Sequence, residues 1–178
     1  MKRILIALFC TATATQAVAA GGIDFSALPV GCSWRGEFSD RSPEVETFLG
    51  RVRGHYRTEA RDAASGRRIS AIDYDDQGLM IRRTWADGRW ETFEPHSCFA
   101  VPGSCSFTYR NGKGDNLVID STVARSGKSF TSRAKPRGGA AYPTETFRLG
   151  PFGLVIHSQS SNYSARITKL MGCGAPAS

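Results

Sequence analysis

The segment "RVRGHYRTEAR", residues 51 to 61, sets Arg51, Arg53, His55, Arg57 and Arg61 at alternate positions, with Glu59 the one interruption. Side chains two apart share one face of a β-strand, so an extended chain here would present a basic face. Two chemistries follow. Guanidinium groups lining a barrel interior or mouth would grip a carboxylate, sulfate or phosphate through paired N–H donors. Burying several unpaired cations is costly, so that arrangement requires an anion or acidic partners. Alternatively the arginines stand on the wet side of a half-buried strand, while Val52, Gly54, Tyr56, Thr58 and Ala60 face the core. Arg51, Arg53 and Arg57 are the candidate anion contacts.

Trp34, Trp85 and Trp90 form a second candidate set. Trp85 and Trp90 flank Asp87-Gly88, a dipeptide suited to the type I′ turn of a hairpin, and could meet across it as a cross-strand pair. Such rings fill a core, staple a hairpin or form the apolar wall of a ligand cavity. A third set, Lys128, Arg133, Lys135 and Arg137 in "KSFTSRAKPRGG", contains no acid and could meet an anionic surface in a salt-dependent way.

Other groups offer less. "DYDDQG" matches the first half of a calcium loop, yet Gln77 and Thr84 stand where that loop asks for Asp or Asn and for a bidentate Glu, so a turn explains it better. His55, His96 and His157 have no metal-ligand spacing. "FEPHSC" gathers Glu94, His96 and Ser97 but no G-x-S-x-G elbow, so a hydrolase would need His96 or His157 to find a carboxylate in space. No cofactor motif and no recognisable nucleic-acid module is present.

The elements that must position these groups are β-strands in an exported chain. "MKRILIALFCTATATQAVAA" has Lys2 and Arg3, an apolar run and then small residues, the three-part pattern of a secretory signal peptide over residues 1–20. That leaves residues 21–178 as a single domain, placed in a periplasm or outside the cell, with no later segment fit to be a transmembrane helix. Loss of Lys2 and Arg3 leaves 21 basic against 16 acidic residues, an excess of five that favours anionic partners such as an envelope glycan, a lipid head group or nucleic acid; a protein partner is a further alternative. Cys32, Cys98, Cys105 and Cys173 make an even count in an exported chain, which reads as two disulfides. Cys98 and Cys105 flank a Pro102-Gly103 turn, so the expected pairing is Cys98–Cys105 and Cys32–Cys173.

"SPEVETFL" has Ser42 as a cap and Pro43 at the first helical position, which predicts one short helical turn. Beyond it, turn dipeptides punctuate short alternating runs, giving eight to nine strands in an antiparallel meander. "RAKPRGGAAYP", residues 133–143, is expected as a mobile surface loop. A meander of this kind closes into a small β-barrel or packs as a sandwich; a terminal Cys32–Cys173 bridge favours the closed or nearly closed barrel.

This outline, with "GCSW" before the first strand, resembles lipocalin-type and avidin-type small barrels in architecture, and "CSWRGEF" is similar to the start of avidin-type chains. The likeness carries over no site residue. The function expected is that of a non-enzymatic binding protein holding a small apolar or anionic ligand in or at the mouth of the barrel. The alternatives are an envelope-associated module acting through its basic loop, and a small-barrel enzyme using His96 or His157.

Overall fold

A computed structural model describes residues 22–99 and 101–174. The signal peptide expected over residues 1–20 lies outside the described residues. Twelve strands form one closed antiparallel barrel in which every strand pairs with its neighbours in sequence, and the first pairs with the last. They are β1 (Ser33–Phe38), β2 (Glu44–Val52), β3 (His55–Asp62), β4 (Arg68–Tyr74), β5 (Met80–Trp85), β6 (Trp90–Glu94), β7 (Gly103–Asn111), β8 (Asn116–Ser126), β9 (Ser129–Pro136), β10 (Glu145–Leu149), β11 (Val155–Gln159) and β12 (Ser164–Met171). A 3₁₀ turn at Pro151–Gly153 is the one helical element among the described residues.

The meander barrel agrees with the sequence reading, and the strand count corrects it from eight or nine to twelve. Three segments account for the difference. "CSWRGEF" is itself the first strand. "SPEVETFL" is no helical turn: from Glu44 it is strand, and its inward face carries Glu44, Glu46 and Phe48. Two of those three are acids, so hydrophobic alternation is hidden. The expected loop at 133–143 is strand as far as Pro136, with buried Phe130 and Ser132 alternating with exposed Arg133 and Lys135. Pro136 falls on the last residue of the strand, where a missing N–H disturbs the ladder least.

The arginine segment is not one strand but a hairpin. Val52 pairs with His55 across Arg53-Gly54, and these two residues have φ of 53° and 88°. That is the left-handed pair a two-residue type I′ turn demands, with Gly at the second position. The strand after the turn alternates Tyr56, Thr58 and Ala60 inward with Arg57, Glu59 and Arg61 outward.

The first and last described residues, Gly22 and Gly174, the β6–β7 connection and the tight turns at 53–54, 75–79 and 127–128 lie at one end of the barrel, here the terminal end. Residues 22–32 cross that end and plug it: the Ile23 N–H donates to the Gly78 carbonyl at 3.1 Å and the Asp24 N–H to that of Phe152 at 2.8 Å. The crossing is close enough that a Cβ at Gly78 would lie 1.9 Å from the Ile23 carbonyl oxygen. Behind it Phe25 packs on Phe48, Tyr56 and Tyr74 with ring centroids 4.8–5.0 Å away. A second cluster, Phe99 on Phe147 at 4.3 Å and Phe147 on Phe130 at 5.1 Å, fills the barrel beside the 95–102 connection.

Both expected disulfides are formed, Cys32–Cys173 and Cys98–Cys105. The first joins the chain just before β1 to the chain just after β12, beside the seam where the barrel closes. The candidate calcium loop is a turn: the Asp75 carboxylate accepts the backbone N–H groups of Gln77 and Leu79 at 2.9 Å each.

Candidate functional site

A barrel of twelve strands encloses more room than an eight-stranded one, and side chains alone do not fill it. Between the two aromatic clusters runs a cavity of about 330 Å³. Its apolar wall includes Trp34, Leu79, Met80, Phe99, Leu154 and Ile167. Ile23 of the plug closes it at the terminal end, while Phe38, Arg41 and Tyr163 stand near the opposite end. Gly36 and Ala165 also line it, and their small size leaves the space open.

Three carboxylates face this cavity. Glu46 collects three donors: the Thr58 hydroxyl, the Trp34 indole N–H at 3.2 Å and the Tyr74 hydroxyl at 3.4 Å. Burial raises its pKa above the usual carboxylate value, against the opposing pull of these donors and of Arg83. The same burial, with the Glu46 charge added, pushes the Tyr74 phenol well up. Glu145 accepts from the Ser158 and Tyr163 hydroxyls. Burial and that bond to Glu145 push Tyr163 up to about 12. Glu44 pairs with Arg41 at 2.9 Å, and the Arg41 guanidinium lies 3.8 Å over the Phe38 ring.

The cavity therefore combines an apolar body with an acceptor-rich polar set. Inward-facing Glu44, Glu46 and Glu145 escape sequence reading because strand acids normally face water. The one available clue was alternation with inward Phe48 and Phe147 on the same strands.

Of the tryptophans, only Trp34 lines this cavity. Trp85 and Trp90 do not face each other, because Trp90 pairs with Thr84 and so lies on the opposite face from Trp85. Arg83 and Arg89 lie 4.9 and 5.3 Å over the Trp85 ring, and Arg82 lies 5.9 Å over that of Trp90. Both tryptophans border a second depression of about 430 Å³ at their hairpin, with Glu91, Tyr109 and Asn111.

The candidate anion contacts do not reach the cavity. Arg57 is outside the barrel and makes a two-pronged pair with Asp73 of β4, at 2.6 and 2.9 Å. Arg51 pairs with Asp76 at 2.6 Å, and Arg53 occupies the exposed hairpin turn. Of the basic set, Lys128 is at the β8–β9 turn, Arg133 and Lys135 point outward from β9, and Arg137 follows it. Arg137 is bound to the Asp120 carboxylate, which it holds down at about 2.

The histidines are apart from one another and from the cavity. His55 is exposed at the start of β3, His96 lies 3.0 Å from the Ser97 carbonyl, and His157 is on the outside of β11 opposite Arg166. None of them bonds to a carboxylate among the described residues. No group of three His, Cys, Asp or Glu side chains placed to hold a metal ion occurs among the described residues. Comparison of the chain with protein-family models, with curated proteins and with solved structures finds no match.

Proposed function

We propose that this is an exported, non-enzymatic binding protein that holds one small, largely apolar ligand inside the barrel. The observation that carries the reading is the cavity of about 330 Å³ walled by Trp34, Met80, Leu154 and Ile167, at the low end of the size range of small-molecule sites. Its acids Glu46 and Glu145 make it a poor host for an anion and a good one for an apolar molecule carrying hydrogen-bond donors. A ligand of that kind would keep its body against Trp34 and turn its donors toward Glu145. Two disulfides and the leader-like first twenty residues support a location outside the cytoplasm.

The test uses the neutral fluorescent probe N-phenyl-1-naphthylamine with the disulfide-bonded protein. Saturable binding is expected, with one site per chain. Ala165→Phe places a ring in the cavity and should weaken binding by about tenfold or more, with the circular-dichroism spectrum and unfolding midpoint close to those of the parent. A probe that does not bind, or that binds the folded Ala165→Phe protein equally well, overturns the reading.

A further inference from the structure

The excess positive charge of this protein sits on one side. Residues 117–174 hold eight basic and two acidic residues, whereas residues 22–116 hold 13 basic and 14 acidic. Because the barrel is a meander, this division of the sequence is also a division of the wall: β8 to β12 are consecutive staves. One of the two acids, Glu145, faces inward, and the other, Asp120, is bound to Arg137. The charged groups on the outer surface of these staves are therefore almost all cationic.

The arrangement of the cations is specific. Arg148 and Arg166 stand on either side of His157 in one row across β10, β11 and β12. Arg35 and Lys169 stand opposite across the β1–β12 seam. Like charges in facing positions oppose folding unless something of the other sign meets them. Glu37 meets Arg166 at 2.8 Å. Arg35, Arg133, Lys135, Arg148 and Lys169 have no acidic partner among the described residues, and all but the half-buried Arg35 are exposed. On the other half of the barrel the outward arginines largely have acids to pair with: Arg51 with Asp76, Arg57 with Asp73, Arg61 and Arg68 with Glu59, Arg110 with Glu94.

We propose that the outer wall formed by β9 to β12 and β1 docks on an anionic lipid surface. Five adjacent staves spread these cations over roughly 20 Å. That is a footprint matched to many head groups rather than to one phosphate. The strands themselves turn no aromatic ring outward on which a nucleobase could stack. Tyr142, 48% exposed, sits at the margin of the wall, where its backbone N–H bonds to the Ala134 carbonyl of β9. An exposed tyrosine there is suited to the head-group layer. The proposal stands independently of the cavity, because Arg35, Arg133, Lys135, Arg148 and Lys169 do not line it; Arg166, which does, is paired with Glu37.

The test is sedimentation of the disulfide-bonded protein with vesicles of phosphatidylcholine alone or mixed with phosphatidylglycerol. Binding is expected only to the anionic vesicles, falling about tenfold or more between roughly 50 and 300 mM salt. The triple variant Arg133→Glu, Arg148→Glu, Lys169→Glu should lose it. A control triple with the same change in net charge on the other half, Arg67→Glu, Arg82→Glu, Lys113→Glu, should bind within about threefold of the parent. All six positions are exposed, so both proteins should fold, which circular dichroism checks. No binding at low salt overturns the proposal, as does an equal loss in the two triples. Tighter binding to heparin or to an oligonucleotide than to the vesicles overturns it in favour of a polyanion.

Discussion

Replacing Glu46 with alanine removes the carboxyl on which Thr58, Trp34 and Tyr74 converge. Thr58 is wholly buried and does not line the cavity, so its hydroxyl loses its acceptor without access to water; that costs about 2 kcal/mol. Trp34 and Tyr74 border the cavity, where water can partly replace the lost acceptor, and about 1 kcal/mol each is expected. Glu46→Ala should therefore destabilise by about 4 kcal/mol, a shift of about 10 °C in the unfolding midpoint for a chain of this size. Glu46→Gln keeps one acceptor oxygen and presents an amide to the third donor, so about 1 kcal/mol is lost.

The deficit depends on pH, with a definite sign. The folded-state pKa of Glu46 is raised by burial, so its contribution is fully present below the unfolded carboxylate value and is lost as pH rises through the folded one. The parent minus Glu46→Gln difference in stability should thus be largest near pH 4 and shrink toward neutrality. Urea unfolding followed by tryptophan fluorescence at several pH values measures it. A Glu46→Ala cost below about 1 kcal/mol, or a deficit that grows with pH, would refute the donor-cluster reasoning.

Two further outcomes are expected. The Cys32–Cys173 bridge closes a span of 141 residues and the Cys98–Cys105 bridge one of 7, so on chain-entropy grounds paired Cys→Ser changes should cost about 5 and about 2.5 kcal/mol respectively in urea unfolding. Tyr163, pushed from 10.0 to about 12, contributes stability that is present below pH 10 and fades as pH approaches 12. Ultraviolet titration should show Tyr163 ionising late together with the buried Tyr74, and Tyr163→Phe should remove one phenol from that late phase and reduce the fall in stability between those pH values.

The parts of the fold legible in the sequence are those written in local chemistry. Asp87-Gly88 marks the β5–β6 hairpin, and a Pro102-Gly103 turn between two of the four cysteines favours, among three possible connectivities, the pairing that is formed. Three strands were hidden for an identifiable reason. β2 turns Glu44 and Glu46 inward, β9 follows a serine and alanine interior with an outward basic face and ends in Pro136, and β1 is short. In β2 and β9 acids or small residues share the inward face with one phenylalanine each, Phe48 and Phe130, while β1, with Trp34 and Phe38 inward, is only six residues long.

By itself the sequence determines an all-β, disulfide-bridged chain, and its charge is visibly concentrated in the second half. Only tertiary structure decides what lies inside. Closure by β1–β12 pairing turns period-two alternation into an interior and an exterior, and it sends the arginines of residues 51–61 outward while bringing Glu46, Trp34 and Tyr74 together. Alternation states that two faces differ; which face is enclosed depends on pairings between residues more than a hundred positions apart, such as Arg35 with Lys169. The same closure gathers the late cations into one wall, because a meander converts neighbourhood in sequence into neighbourhood on the surface.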